Sequence, residues 1–91
     1  MRVEAKAVTR RNAMEVKRAM LAALESGDAA LDFSGVEQVD SSAVALAMEW
    51  IRAVERRGSS PELAGVPEKM RALARLYGVE ALVFGAEARA I

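Results

Sequence analysis

Apolar and polar residues follow two spacings in turn along this chain, and each spacing predicts one kind of element. Short apolar runs between turn residues predict strands at residues 2–8, 29–33, 61–64 and 81–84. Apolar residues at helical spacing predict three helices, which begin at Asn12, Asp40 and Pro67 and end before Gly27, Gly58 and Gly78. The polar segment 34–39 predicts a loop. The first strand is weak, and we expect it at a sheet edge.

This alternation of strands and helices predicts a single α/β domain over residues 1–91, with right-handed crossovers between its strands. Residues 1–10 hold the weak N-terminal strand, and residues 85–91 form a tail. Because the strands are short, we expect a small mixed sheet of about four strands, with helices mainly on one face.

The first and third helices each carry one apolar stripe, which predicts the buried face of each. In the first helix, Asn12 followed by Glu15 is typical of a capping box. Its apolar stripe comprises Ala13, Val16, Met20, Ala23 and Leu24. The stripe of the third helix comprises Met70, Leu73, Ala74 and Tyr77.

The second helix has an apolar surface of about 200°, wider than burial on one side requires. One arc, assigned to the sheet, comprises Val44, Ala47, Met48, Ile51 and Val54. A second arc comprises Ala43, Leu46, Trp50 and Ala53. This second arc packs either on a neighbouring helix or on another protein. Trp50 is the only tryptophan, a residue type enriched at binding hot spots, so it is either a core residue or a contact residue.

Composition narrows the function classes. The chain has 13 basic and 13 acidic residues, so no net charge favours nucleic acid or an anionic membrane. It has no histidine and no cysteine, which removes the commonest general base and the usual zinc ligands. There is no glycine-rich phosphate loop. We therefore expect no catalytic residues, no metal and no cofactor. No segment resembles a signal peptide or a membrane span, so we expect a cytoplasmic protein without direct membrane insertion.

The junction between the second strand and the second helix presents two serines. Asp40 suits the N-cap position, because its carboxylate can accept hydrogen bonds from free backbone N–H groups of the first turn. Ser41 and Ser42 then lie in that turn, where the helix dipole tolerates negative charge such as a phosphate on Ser41. The alternative interpretation is that Asp-Ser-Ser is only good capping chemistry.

The string Asp40-Ser41-Ser42-Ala43-Val44 resembles the motif of STAS domains, which reads aspartate, serine or threonine, a small residue, glycine and an aliphatic residue. In the anti-sigma factor antagonists of this family, the hydroxyl group directly after the aspartate is phosphorylated, which corresponds to Ser41. Ala43 stands where the family usually has glycine, and its methyl group would lie where a partner approaches closely.

The rest of the chain is similar to MlaB-type STAS proteins, the cytoplasmic accessory subunits of a bacterial phospholipid-transport ABC system. The similarity rests on Glu49-Trp50-Ile51, the segment 63–67, Met70 and the segment 73–79. It covers about residues 31–83. The family usually begins with a hairpin whose first strand is missing or very short here. An exposed edge at this place would offer a route to a homodimer.

The resemblance implies a non-enzymatic adaptor that binds the ATPase subunit of the transporter and lies peripheral to the inner membrane in that complex. Its expected contact surface is the loop before the second helix and the exposed side of that helix. The expected contact residues are Asp40, Ser41, Ser42, Ala43, Leu46 and Trp50. The alternative is an anti-sigma factor antagonist that binds an anti-sigma factor kinase and is switched by phosphorylation at Ser41. A third class, a nucleotide-binding or hydrolytic protein, is disfavoured because no phosphate loop is present.

Overall fold

The computed structural model describes residues 1–83 of the 91-residue chain. Strands and helices are interspersed along the chain, which confirms the α/β class, although two strands follow one another directly after the first helix. The elements are β1 (Ala7–Val8), α1 (Ala13–Glu25), β2 (Ala30–Asp32), β3 (Gln38–Val39), α2 (Ser41–Arg56), β4 (Glu62–Ala64) and α3 (Glu68–Leu76). Residues 80–83 are also helical. The three predicted helix stops are confirmed, because each of those glycines lies just beyond a helix and has a positive φ.

The strands form two parallel pairs, β1 with β3 and β2 with β4. A parallel bridge between Arg2 and Asp32 joins the two pairs, and the Val3 N–H donates to the Asp32 carbonyl at 2.9 Å. Residues 1–8 therefore lie between β2 and β3. All strand pairings in the described residues are parallel, whereas we expected a mixed sheet.

The predicted strand at residues 2–8 is shorter and more central than expected. Only Ala7–Val8 forms a strand, and Val3 and Val8 are buried. The segment is flanked on both sides, so its predicted position at a sheet edge is wrong. In the described residues the edges belong to β3 and β4, and the expected homodimer stays a prediction.

Two other strand predictions also need correction. The segment 34–39, predicted as a loop, contains the two-residue strand β3. Residues 81–83, predicted as part of a final strand, are helical, and the Val83 N–H donates to the Val79 carbonyl at 3.1 Å. A short apolar run cannot by itself distinguish a strand from a helix. Phe84, the last residue of that predicted strand, lies outside the described residues, as does the predicted tail.

The core lies between the sheet and a row of helices in which α2 contacts both α1 and α3. Each strand contributes one buried residue to it: Val8, Leu31, Val39 and Leu63. The predicted stripe of α1 is confirmed, with Val16, Met20 and Leu24 buried and its alanines packed beside them. In α3, Met70 and Ala74 are buried, but Tyr77, which directly follows the end of the helix, is 53% exposed.

Trp50 is a core residue, which answers the question that its position on α2 left open. Its side chain is 0% exposed, and its indole Nε1–H donates to the Ala29 carbonyl at 3.0 Å. The indole thus packs inside the domain and also satisfies a backbone carbonyl just before β2. The wide apolar surface of α2 is used within the domain, because this helix has a neighbouring helix on each side.

Candidate functional site

Asp40 connects the start of α2 to the turn that follows β1. Its Oδ1 accepts a hydrogen bond from the Ser42 N–H at 2.8 Å, which confirms Asp40 as the N-cap of α2. Its Oδ2 accepts from the Arg10 N–H at 3.0 Å. Arg10 and Asp40 are far apart in the chain and meet because β1 and β3 are paired. The carboxylate therefore holds the position of Ser41 relative to a second segment.

Asn12 holds the same turn from inside. Its Nδ2 donates to the Ala7 carbonyl at 2.7 Å, and its Oδ1 accepts from the Thr9 N–H at 3.0 Å. Asn12 occupies the N-cap position of α1 but makes no capping bond there, so the predicted capping box is wrong. Its side-chain amide group is instead hydrogen-bonded to the backbone of the turn after β1. These bonds keep Arg10 and Arg11 in place.

The electrostatics of the junction keep Asp40 ionised. The hydrogen bond from the Arg10 N–H is the main cause that lowers the pKa of Asp40 below its ordinary value, and the Ser42 N–H acts in the same direction. Partial burial opposes this shift. A carboxylate at this end of a helix also interacts favourably with the helix dipole. The charge on Asp40 is thus used to position the backbone.

The structure divides the six expected contact residues into two groups. Ser41 is exposed, and Asp40 and Ser42 are partly exposed. The other three are interior side chains: Ala43 is 0% exposed, Leu46 is 5% exposed and Trp50 is buried as described. A partner cannot touch these three in this conformation. We expected the methyl group of Ala43 to lie where a partner approaches closely. It points into the domain instead, so it does not obstruct a partner.

The accessible surface around Ser41 is formed by two segments of the chain. Ala45 follows Ser41 on the outer side of α2 and is exposed. Across the junction, Arg10, Arg11 and Gln38 are exposed and line a shallow concavity of about 450 Å³ beside Asp40. We call these five residues the junction surface. The arginines were not predicted, because only the pairing of β1 with β3 brings them beside Asp40.

None of the helices in residues 1–83 has the length and apolar character needed to cross a membrane. No group of three or more histidine, cysteine, aspartate or glutamate side chains in that part of the chain could hold a metal ion.

A parallel sheet covered by a row of helices, with an exposed serine directly after a capping aspartate, defines the class of STAS domains. A family model described as "Mlab, STAS domain" matches residues 5–84, and the chain belongs to this family. Comparison with curated proteins finds no match. Membership supports an adaptor or regulatory role, and domains of this family are generally non-catalytic.

Proposed function

We propose that the protein is a non-enzymatic adaptor that binds the ATPase subunit of a phospholipid-transport ABC system through the junction surface. The observation that carries this proposal is the exposed Ser41 at a helix start capped by Asp40, in a chain that belongs to the MlaB-type family. In this role the partner binds and hydrolyses ATP. The adaptor works on the cytoplasmic side, peripheral to the inner membrane while it is bound.

The junction surface suits close docking. Ser41 and Ala45 are small, so the backbone of a partner can approach the outer side of α2 near its first turns. The Ser41 hydroxyl group can both donate and accept a hydrogen bond. Arg10 and Arg11 add two positive charges in the concavity beside Asp40, which favour carboxylate or carbonyl groups on the partner. Pre-positioning by Asp40 and Asn12 reduces the entropy lost on binding.

A second candidate function is an antagonist of an anti-sigma factor kinase, switched by phosphorylation at Ser41. It is favoured by one observation: Ser41 is exposed at the N-terminus of a 16-residue helix, directly after Asp40, whose neighbouring concavity holds Arg10 and Arg11. A phosphate there would gain from the helix dipole and from charge-assisted hydrogen bonds.

Binding measurements with purified partners test both functions. The ABC ATPase and the serine kinases encoded in the same genome would each be titrated with the adaptor. Binding to the ATPase, together with no phosphate transfer to Ser41 from the kinases and ATP, supports the adaptor. Phosphorylation of Ser41 that releases a bound kinase supports the alternative. The Ser41→Ala variant is the control for the modified residue.

A further inference from the structure

A second accessible surface lies in the groove between α1 and α2. The groove has a volume of about 320 Å³, and the apolar residues of its lining that are not fully buried are Leu21 and Ala53. This volume is at the lower end of the range for small-molecule pockets, so it suits a few apolar side chains better than a whole ligand. Leu21 forms part of the wall and is 50% exposed, which leaves an apolar side chain without full cover.

The rim of this groove is positively charged. Lys17 and Glu49 form an ion pair across it at 3.4 Å, so their charges offset one another. Arg52 and Arg56 also line the groove and are exposed, and within residues 1–83 neither has an ion-pair partner. The net charge of the lining is therefore positive, although the whole chain has no net charge. Accessible apolar side chains at Leu21 and Ala53, beside two unpaired arginines, are complementary to an acidic amphipathic segment.

We propose that the α1–α2 groove binds an acidic amphipathic helix of a partner protein, with apolar side chains against Leu21 and Ala53 and carboxylates against Arg52 and Arg56. A second copy of this chain fits less well, because its own α1 and α2 each carry two acidic and two basic residues and so offer no net negative charge. The arginine Arg52 is 11 residues beyond Ser41 in the same helix, which places it about 16 Å along the axis. The groove is thus separate from the junction surface.

The test uses a defined peptide and the whole protein. The peptide has no tryptophan, has the length of α2, 16 residues, and carries leucines at helical spacing between glutamates. Binding is measured by titration calorimetry. We expect a dissociation constant below about 1 mM. A peptide with every glutamate changed to lysine should not bind.

Two pairs of variants locate the binding. The double variant Arg52→Glu, Arg56→Glu should weaken peptide binding about tenfold or more. The control double variant Arg18→Glu, Arg57→Glu makes the same change of charge outside the groove. It should weaken peptide binding less than about threefold.

The apolar half of the groove is tested in the same way. Leu21→Asn should weaken peptide binding, whereas Leu76→Asn, at a residue that is 75% exposed on α3, should not. Equal effects of the groove and control variants would overturn the proposal, as would binding of the lysine peptide. Binding of phosphatidylglycerol vesicles in place of the acidic peptide would also overturn it and assign the groove to lipid. Ser41 variants should leave peptide binding unchanged, so a failure of this proposal is distinct from a failure of the adaptor function.

Discussion

Replacing Asp40 by alanine removes the carboxylate that joins the start of α2 to the turn after β1. The loss of an N-cap carboxylate costs about 1 kcal/mol. The second bond, to the Arg10 N–H, adds less, because Arg10 is exposed and water can replace the lost acceptor. We expect the free energy of unfolding to fall by about 1.5 kcal/mol. For a chain of 91 residues this lowers the Tm by about 6 to 12 °C.

The pH dependence of this effect has a definite sign. The hydrogen bond from the Arg10 N–H lowers the pKa of Asp40 in the folded protein. A carboxyl group with a lowered pKa stabilises the fold fully above its unfolded pKa, about 3.9, and this contribution is lost as the pH falls through the folded pKa. The stability difference between the wild type and Asp40→Ala should therefore narrow in acid.

Urea unfolding followed by far-ultraviolet circular dichroism measures this prediction at neutral and acidic pH. Asp40→Asn keeps one side-chain acceptor and should fall between the wild type and Asp40→Ala. Ser41→Ala is the matched control, because this neighbouring residue is exposed and makes none of the carboxylate bonds. Equal midpoints for the wild type and Asp40→Ala at neutral pH would refute the structural role of the carboxylate. A difference that does not change in acid would refute the account of its charge.

Two further pairs of substitutions test the packing. Trp50→Ala should lower the free energy of unfolding by about 3 to 5 kcal/mol, and Trp50→Phe should lower it much less. If urea unfolding shows that Trp50→Ala is as stable as the wild type, the place of Trp50 in the core is contradicted. Gly65 has a φ of 63°, and a Cβ atom there would lie 2.6 Å from the Ser34 backbone nitrogen, so Gly65→Ala should cost about 2 to 4 kcal/mol. Gly58→Ala, with a φ of 78° and open space around it, should cost only about 1 kcal/mol, and equal thermal shifts would contradict the close contact.

The helices and the helix cap could be predicted from the sequence because their signals are local. Val16, Met20 and Leu24 repeat at helical spacing, and the residue type and position of Asp40 are typical of an N-cap. The two-residue strand β3 could not be predicted, because so short a segment shows no periodicity and exists only through its pairing with β1.

The candidate site was only partly predictable for a similar reason. Ser41 follows the cap directly, so its exposure at the helix start could be inferred from neighbouring residues. Arg10 is 30 residues from Asp40, and nothing local in the sequence indicates that they meet. Trp50 lies on an apolar arc that suits a helix neighbour or a protein partner equally well. Only the position of α2 between α1 and α3 assigns it to the core.

We propose that Ser41 docks on the ATPase of a phospholipid-transport ABC system. The most direct test is the dissociation constant of the purified protein for the ABC ATPase from the same genome. The wild type should bind, and Ser41→Asp should weaken binding about tenfold or more, because it adds a charge beside Asp40 at the interface. Ser59→Asp, at an exposed residue after α2, should leave binding unchanged. No binding by the wild type, or equal affinity of Ser41→Asp and the wild type, would contradict the account.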